Sequence, residues 1–290
     1  MFFSDINYVL SEFAKIDLKF YLIIFPLAIL YMIISSWRYS CILKRIGINL
    51  QFKEYFWLFS AGESMAITPG GLGAVVKSYL LKKKLGVSFS STAPTIIFER
   101  WIDLAGILLL LGIISILITT VESTAVLIIG TIFLISVFAF FKTKLGFSIV
   151  KRITRKIKFF NKFVSQFDES QESAVKLFSV ETILRTLPST LVIRVIQLVM
   201  VFLIFISLDI DFDVLLTGHI LFTSSMIGSL SFLPAGIIVT EASLLGLMLK
   251  NGLNLGLATV AVFLIRLVTL WFATIIGFFA LKFVLSKNSH

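Results

Sequence analysis

Ionisable residues are scarce in this chain, and the few that interrupt its apolar stretches are the ones whose types could do chemistry. Glu63, Lys77, Glu99, Arg100, Asp103, Glu241 and Arg266 lie inside or at the edges of long uncharged runs. A charge buried in a membrane costs about 2.5–3.5 kcal/mol on insertion scales, so such groups face protein or water and seek partners. Arg100 stands three residues before Asp103 and Glu99 four before it, spacings that share one helix face. Two readings stand side by side for this cluster: an ion pair locking its helix to the hairpin that precedes it, or the lining of a path for a polar headgroup. Glu63, Glu99, Asp103 and Glu241 could also supply the acid and base of a membrane-embedded transferase. No phosphate-binding loop or Asp-rich metal motif accompanies them, which places that chemistry second. No catalytic residue, cofactor or metal is expected. His219 and His290 are the only histidines and Cys41 the only cysteine, and Asp209, Asp211 and Asp213 lack the glycine and terminal glutamate of a calcium loop.

The elements that must position these charges are read from composition and from two breaks. With 58% hydrophobic and 14% charged residues, and 30 phenylalanines in 290 positions, the chain is too apolar for an ordinary soluble domain. Uncharged runs at 20–37, 104–121, 123–141, 214–240 and 267–281 bracket the roughly 20 residues that span a hydrocarbon core. Helices are expected to carry the crossings, because lipid cannot satisfy open backbone groups. Two of the apolar segments are interrupted, by Pro69-Gly70-Gly71-Leu72-Gly73 and, 165 residues later, by Pro234-Ala235-Gly236. Each break is followed by a glycine (Gly86, Gly252) and, 14 residues on, by an arginine (Arg100, Arg266). Pro69, Gly71, Gly73, Pro234 and Gly236 are therefore expected at a cavity with the charges, since broken backbone at membrane depth is tolerated only where protein or water meets it.

Charge asymmetry gives an orientation. The first span is expected over about 18–37, stopping at Arg38. Lys44, Arg45 and Lys53 follow it, Lys82-Lys83-Lys84 follow the first break, and eight basic residues crowd 142–163, which marks these loops as cytoplasmic. Residues 54–84 leave and return to one side, as a re-entrant helical hairpin does. By the same reckoning the segment 214–250 is a hairpin entering from the outside, and Asp209, Asp211 and Asp213 form an external turn. The expected fold is an all-α polytopic membrane protein of 1–290. Its inverted repeats occupy about 18–141 and 186–286, joined by a basic linker at about 142–185, with the N-terminus outside and the C-terminus cytoplasmic. Residues 3–13 read as an interfacial helix, and no removable signal precedes the first span. The basic linker suits anionic lipid rather than nucleic acid.

Taken together, Thr68-Pro69-Gly70-Gly71-Leu72-Gly73 with Lys77, Phe98-Glu99-Arg100-Trp101-Ile102-Asp103, Leu233-Pro234-Ala235-Gly236 with Glu241, and Phe263-Leu264-Ile265-Arg266 resemble the lysylphosphatidylglycerol synthase transmembrane, or flippase-like, family. The resemblance covers almost the whole chain. It implies a cell-membrane protein that moves a lipid or lipid-linked precursor between leaflets, and the half-helix N-termini expected after each break would suit an anionic headgroup at the repeat interface. Ala74 stands where a glutamate often follows the first glycine motif, and Ala235 and Ile238 replace glycines in the second, so headgroup chemistry is expected to differ. The aminoacyl-transfer domain of bifunctional members is absent, so lysyl-lipid synthesis is not expected. A non-transporting partner of a separate synthetase or glycosyltransferase is the further alternative. Which lipid, what energy source and what oligomeric state stay open at this level.

Overall fold

The computed structural model describes residues 18–68, 72–142, 164–231 and 233–287. Regular structure among them is helical throughout: α1 (Leu18–Arg45), α2 (Phe52–Glu63), α3 (Leu72–Leu85), α4 (Phe89–Leu117), α5 (Val121–Lys142), α6 (Val164–Leu177), α7 (Val180–Ser207) and α8 (Val214–Leu230) come first. A 3-10 turn (Pro234–Gly236), α9 (Val239–Lys250), α10 (Leu255–Arg266), a π-helical turn (Leu267–Trp271) and α11 (Phe272–Lys287) complete the order. Five stretches are long and apolar enough to cross a membrane: α1, α4, α5, α7 and the continuous α10–α11 rod. The protein is an all-α polytopic membrane protein.

Helix ends follow local chemistry. Ser88, Ser179, Asp213 and Asn254 cap α4, α7, α8 and α10 by accepting from backbone N–H groups in the first turn. Gly86 and Gly252, the glycines that follow each break in the sequence, adopt φ of +69° and +89° and stop α3 and α9 in the left-handed conformation that glycine takes most readily. Arg38, read from the sequence as the end of the first span, lies inside α1, which continues to Arg45. Its charge is tolerated because it turns into the protein, where it is buried beside a carboxylate.

The two interrupted segments each give a pair of short arms. Helices α2 and α3, 12 and 14 residues long, reach only about 18 and 21 Å at 1.5 Å per residue, short of a hydrocarbon core. They pack on one another, as do α8 and α9. Glycines let the arms touch: a Cβ on Gly73 would collide with the Gly62 carbonyl oxygen, and one on Gly236 would strike Thr240 Oγ1 and crowd the Gly228 backbone. Pro69, Gly70 and Gly71, the tip of the first break, lie outside the described residues, as do the expected interfacial helix at 3–13 and the basic run beyond Lys142.

Packing crosses between the two halves of the chain. Helix α1 lies along α7, α2 lies against α11, and α8 lies against α4. Helix α6, polar outward, buries Ala174 and Leu177 beside α4, and Phe178 joins Phe98, Trp101, Phe138 and Phe141 in an aromatic cluster. Ser88 and Ser90 donate to the Glu169 carboxylate and hold α6 to the start of α4. Those hydroxyls keep the exposed Glu169 carboxyl below the usual carboxylate range.

Candidate functional site

Where the short arms meet the long helices they enclose a cavity of about 600 Å³. Each wall brings charge inward. Helix α2 ends at Glu63, Gly73 and Lys77 come from α3, and Glu99, Arg100 and Asp103 from α4. The far side carries Pro234 and Gly236 of the 3-10 turn and Arg266 of α10. Glu241 stands behind this wall on α9, and its carboxylate meets Arg266 Nε at 2.6 Å. Pro69 and Gly71 lie outside the described residues.

Three ion-pair sets divide the cavity. In the first, Lys77 Nζ donates to both Glu99 oxygens at 2.9 and 3.2 Å and sits 4.9 Å from the ring centres of Tyr39 and Phe59. Both partners are 9% exposed, so the pair ties α3 to α4 in a nearly dry setting. In the second, Asp103 Oδ1 is shared by Arg38 Nη1 and Arg194 Nη2, each at 2.7 Å. Arg38 also donates to Thr190 Oγ1 and Arg194 to Gln197 Oε1, yet the Nε of each arginine is buried without an acceptor. In the third, Arg266 adds to its Glu241 contact a hydrogen bond from Nη2 to the Ala235 carbonyl at 2.9 Å. That bond pins the strained break, where Ala235, Gly236 and Ile238 all take positive φ.

The charges on α4 take their partners from other helices. Arg100 and Asp103 share a face, but Asp103 is taken by arginines from α1 and α7, and no ion pair to Arg100 forms among the described residues. Arg38 and Arg194 were the missed members of the site. Their signal was available, because each interrupts an apolar run as Arg100 does. Tyr31 and Gln197, which also line the cavity, carry no such signal.

Five basic side chains line this space against three acidic ones, with Glu241 reaching Arg266 from outside the wall, so positive charge is in excess. The first turns of α3 and α9 also border it, at Gly73 and Thr240, adding the partial positive charge of helix N-termini. No group of three or more His, Cys, Asp or Glu side chains among the described residues is placed to hold a metal ion.

Fold and cavity together define a polytopic membrane protein with a cation-rich interior. The chain belongs to the family described as the lysylphosphatidylglycerol synthase TM region, which it matches over residues 1–277. It is similar to a UPF0104 membrane protein of Pyrococcus horikoshii, at 26% identity over 96% of this chain and 90% of that protein. A second UPF0104 membrane protein, from Methanothermobacter thermautotrophicus, is 21% identical over 95% of this chain and 88% of that protein. No solved structure matches.

Proposed function

We propose that the protein is a lipid translocase that receives an anionic headgroup in the cavity between two like units of opposite orientation. The observation that carries this reading is the excess of positive charge in a cavity built jointly by both interrupted segments. An anion placed there meets guanidinium groups with unused donors and two helix N-termini. The crossed packing supports the duplication: the first hairpin lies on the last helix of the second unit, and α8 of the second hairpin lies on the long helix of the first. Such repeats with broken helices at their interface are a recurring plan among secondary transporters. The basic loops support an N-terminus outside, a C-terminus in the cytoplasm and a re-entrant reading of both hairpins.

The transferase alternative draws less support from the geometry. Glu99, Asp103 and Glu241 are each engaged by a cation, which leaves Glu63 as the cavity carboxylate without an ion pair among the described residues. The test is reconstitution of the purified protein in liposomes, with leaflet exchange of labelled anionic phospholipids and lipid-linked sugars followed by quenching. Protein-dependent exchange of an anionic probe is expected; a folded protein that exchanges none of them refutes the reading.

A further inference from the structure

A lipid whose headgroup enters the cavity must keep its tail among hydrocarbon, and one wall is built to permit this. Helices α5 and α8 touch where Gly130 faces Met226, so closely that a Cβ on Gly130 would strike the methionine methyl group. Further toward the Lys142 end of α5, Phe133 and Val137 line the cavity together with Ser225, Ser229 and Leu233. Leu233 is 45% exposed, and Ile97 of α4, which also lines the cavity, is 40% exposed. Lining residues that are themselves exposed mark an opening, and we read it as a slot, largely hydrocarbon-walled, that leads from outside the helix bundle into the polar cavity.

Arg100 stands at the inner edge of this slot, one helical turn from Ile97, and is itself exposed. Lys77 is committed to Glu99, Arg38 and Arg194 to Asp103, and Arg266 to Glu241. Arg100 is thus the cavity cation with no ion pair among the described residues. A guanidinium offers two parallel N–H donors to a phosphate, and an apolar slot beside it suits a hydrocarbon chain.

We propose that the slot between α5 and the α8 end is a lateral portal for the acyl chain of a phospholipid whose phosphate is held by Arg100. The proposal rests on the translocase reading for its headgroup site and adds the route of the tail. It also excludes a free anion as the substrate, because a soluble phosphate makes no use of the slot.

The experiment is photolabelling of the full-length protein in phosphatidylcholine vesicles doped with phosphatidylglycerol bearing a diazirine in mid-chain, with labelled peptides mapped by mass spectrometry. Label is expected on α5 around Phe133 and Val137 and near Leu233. Arg100→Ala and Ser229→Trp should each reduce that label about tenfold. Ser229 is exposed and its hydroxyl donates only within α8, to the Ser225 carbonyl, so the substitution spares the core. Ile129→Trp, on the lipid-facing side of α5, should leave labelling unchanged. Excess unlabelled phosphatidylglycerol should compete far better than excess inorganic phosphate or glycerol phosphate; competition by the soluble anions as strong as by the lipid means that the slot contributes nothing and overturns the proposal. Label spread evenly over lipid-facing helices, or unchanged by Arg100→Ala or by Ser229→Trp, overturns it too. Leaflet exchange measured on the same vesicles separates the two readings. Exchange without portal label sinks the portal alone, and portal label without exchange sinks the translocase alone.

Discussion

The two interrupted segments use the same parts in opposite order. In the first, the arm carries the cation, Lys77, and the following long helix carries the carboxylate, Glu99. In the second, the arm carries the carboxylate, Glu241, and the following helix carries the cation, Arg266. Either way one ion pair fastens an arm to the next helix. The exchange changes the fate of the arginine that stands 14 residues after each arm-stopping glycine. Arg266 meets a carboxylate and a backbone carbonyl and becomes a fastener. Arg100 has no carboxylate on its arm, since Lys77 occupies that role, and it is left facing the cavity. Equal spacing after the two breaks therefore gives one arginine fastened in an ion pair and one that faces the cavity with no ion pair among the described residues.

Breaking the first fastener should have the largest effect. Lys77→Ala leaves Glu99 buried without its partner and should lower stability by about 3–5 kcal/mol, read as a drop in thermal midpoint in detergent. Replacing both members with methionine should recover most of that loss, because the uncompensated charge is then removed. Arg266→Ala should cost somewhat less, about 2–4 kcal/mol, since Glu241 is 20% exposed and water relieves part of the penalty. Limited proteolysis should then cut first near the break at Pro234–Gly236. Arg100→Ala should sharpen the contrast, with a stability change within about 0.5 kcal/mol and a clear loss of leaflet exchange. If Arg100→Ala instead unfolds the protein as Arg266→Ala does, the division of roles between the two arginines fails.

The smallest effect lies outside both interrupted segments, at the joint between α4 and α6. Glu169 is exposed, and the Ser88 and Ser90 hydroxyls stabilise its charged form, so its carboxyl is lowered from an ordinary 4.5. Its contribution is fully present above that value and is lost as pH falls below it through the folded value. Hydrogen exchange at the start of α4 should accelerate over that acidic window, and Glu169→Gln should abolish the pH dependence.

Much of the architecture was legible because it rests on local physics. Apolar length and proline and glycine breaks act within a few residues, so α5 and the two interrupted segments could be bounded without a structure. Charges inside apolar runs announced themselves by their cost. Arg38 and Arg194 announced themselves equally, but Arg38 was read as a helix end, since a charge at the edge of an apolar run resembles the edge of a membrane. Inside the fold it turns toward Asp103 and the helix continues.

The sequence by itself determined the helices, where they break, and which residues needed a partner, since backbone geometry and desolvation act on each segment alone. Only the tertiary structure decided who the partners are. Asp103 went to Arg38 and Arg194 rather than to its helix neighbour Arg100 because α1 and α7 bring their guanidinium groups against α4. A buried charge pairs with what crosses the space in front of it, and spacing along one helix fixes only the direction it faces.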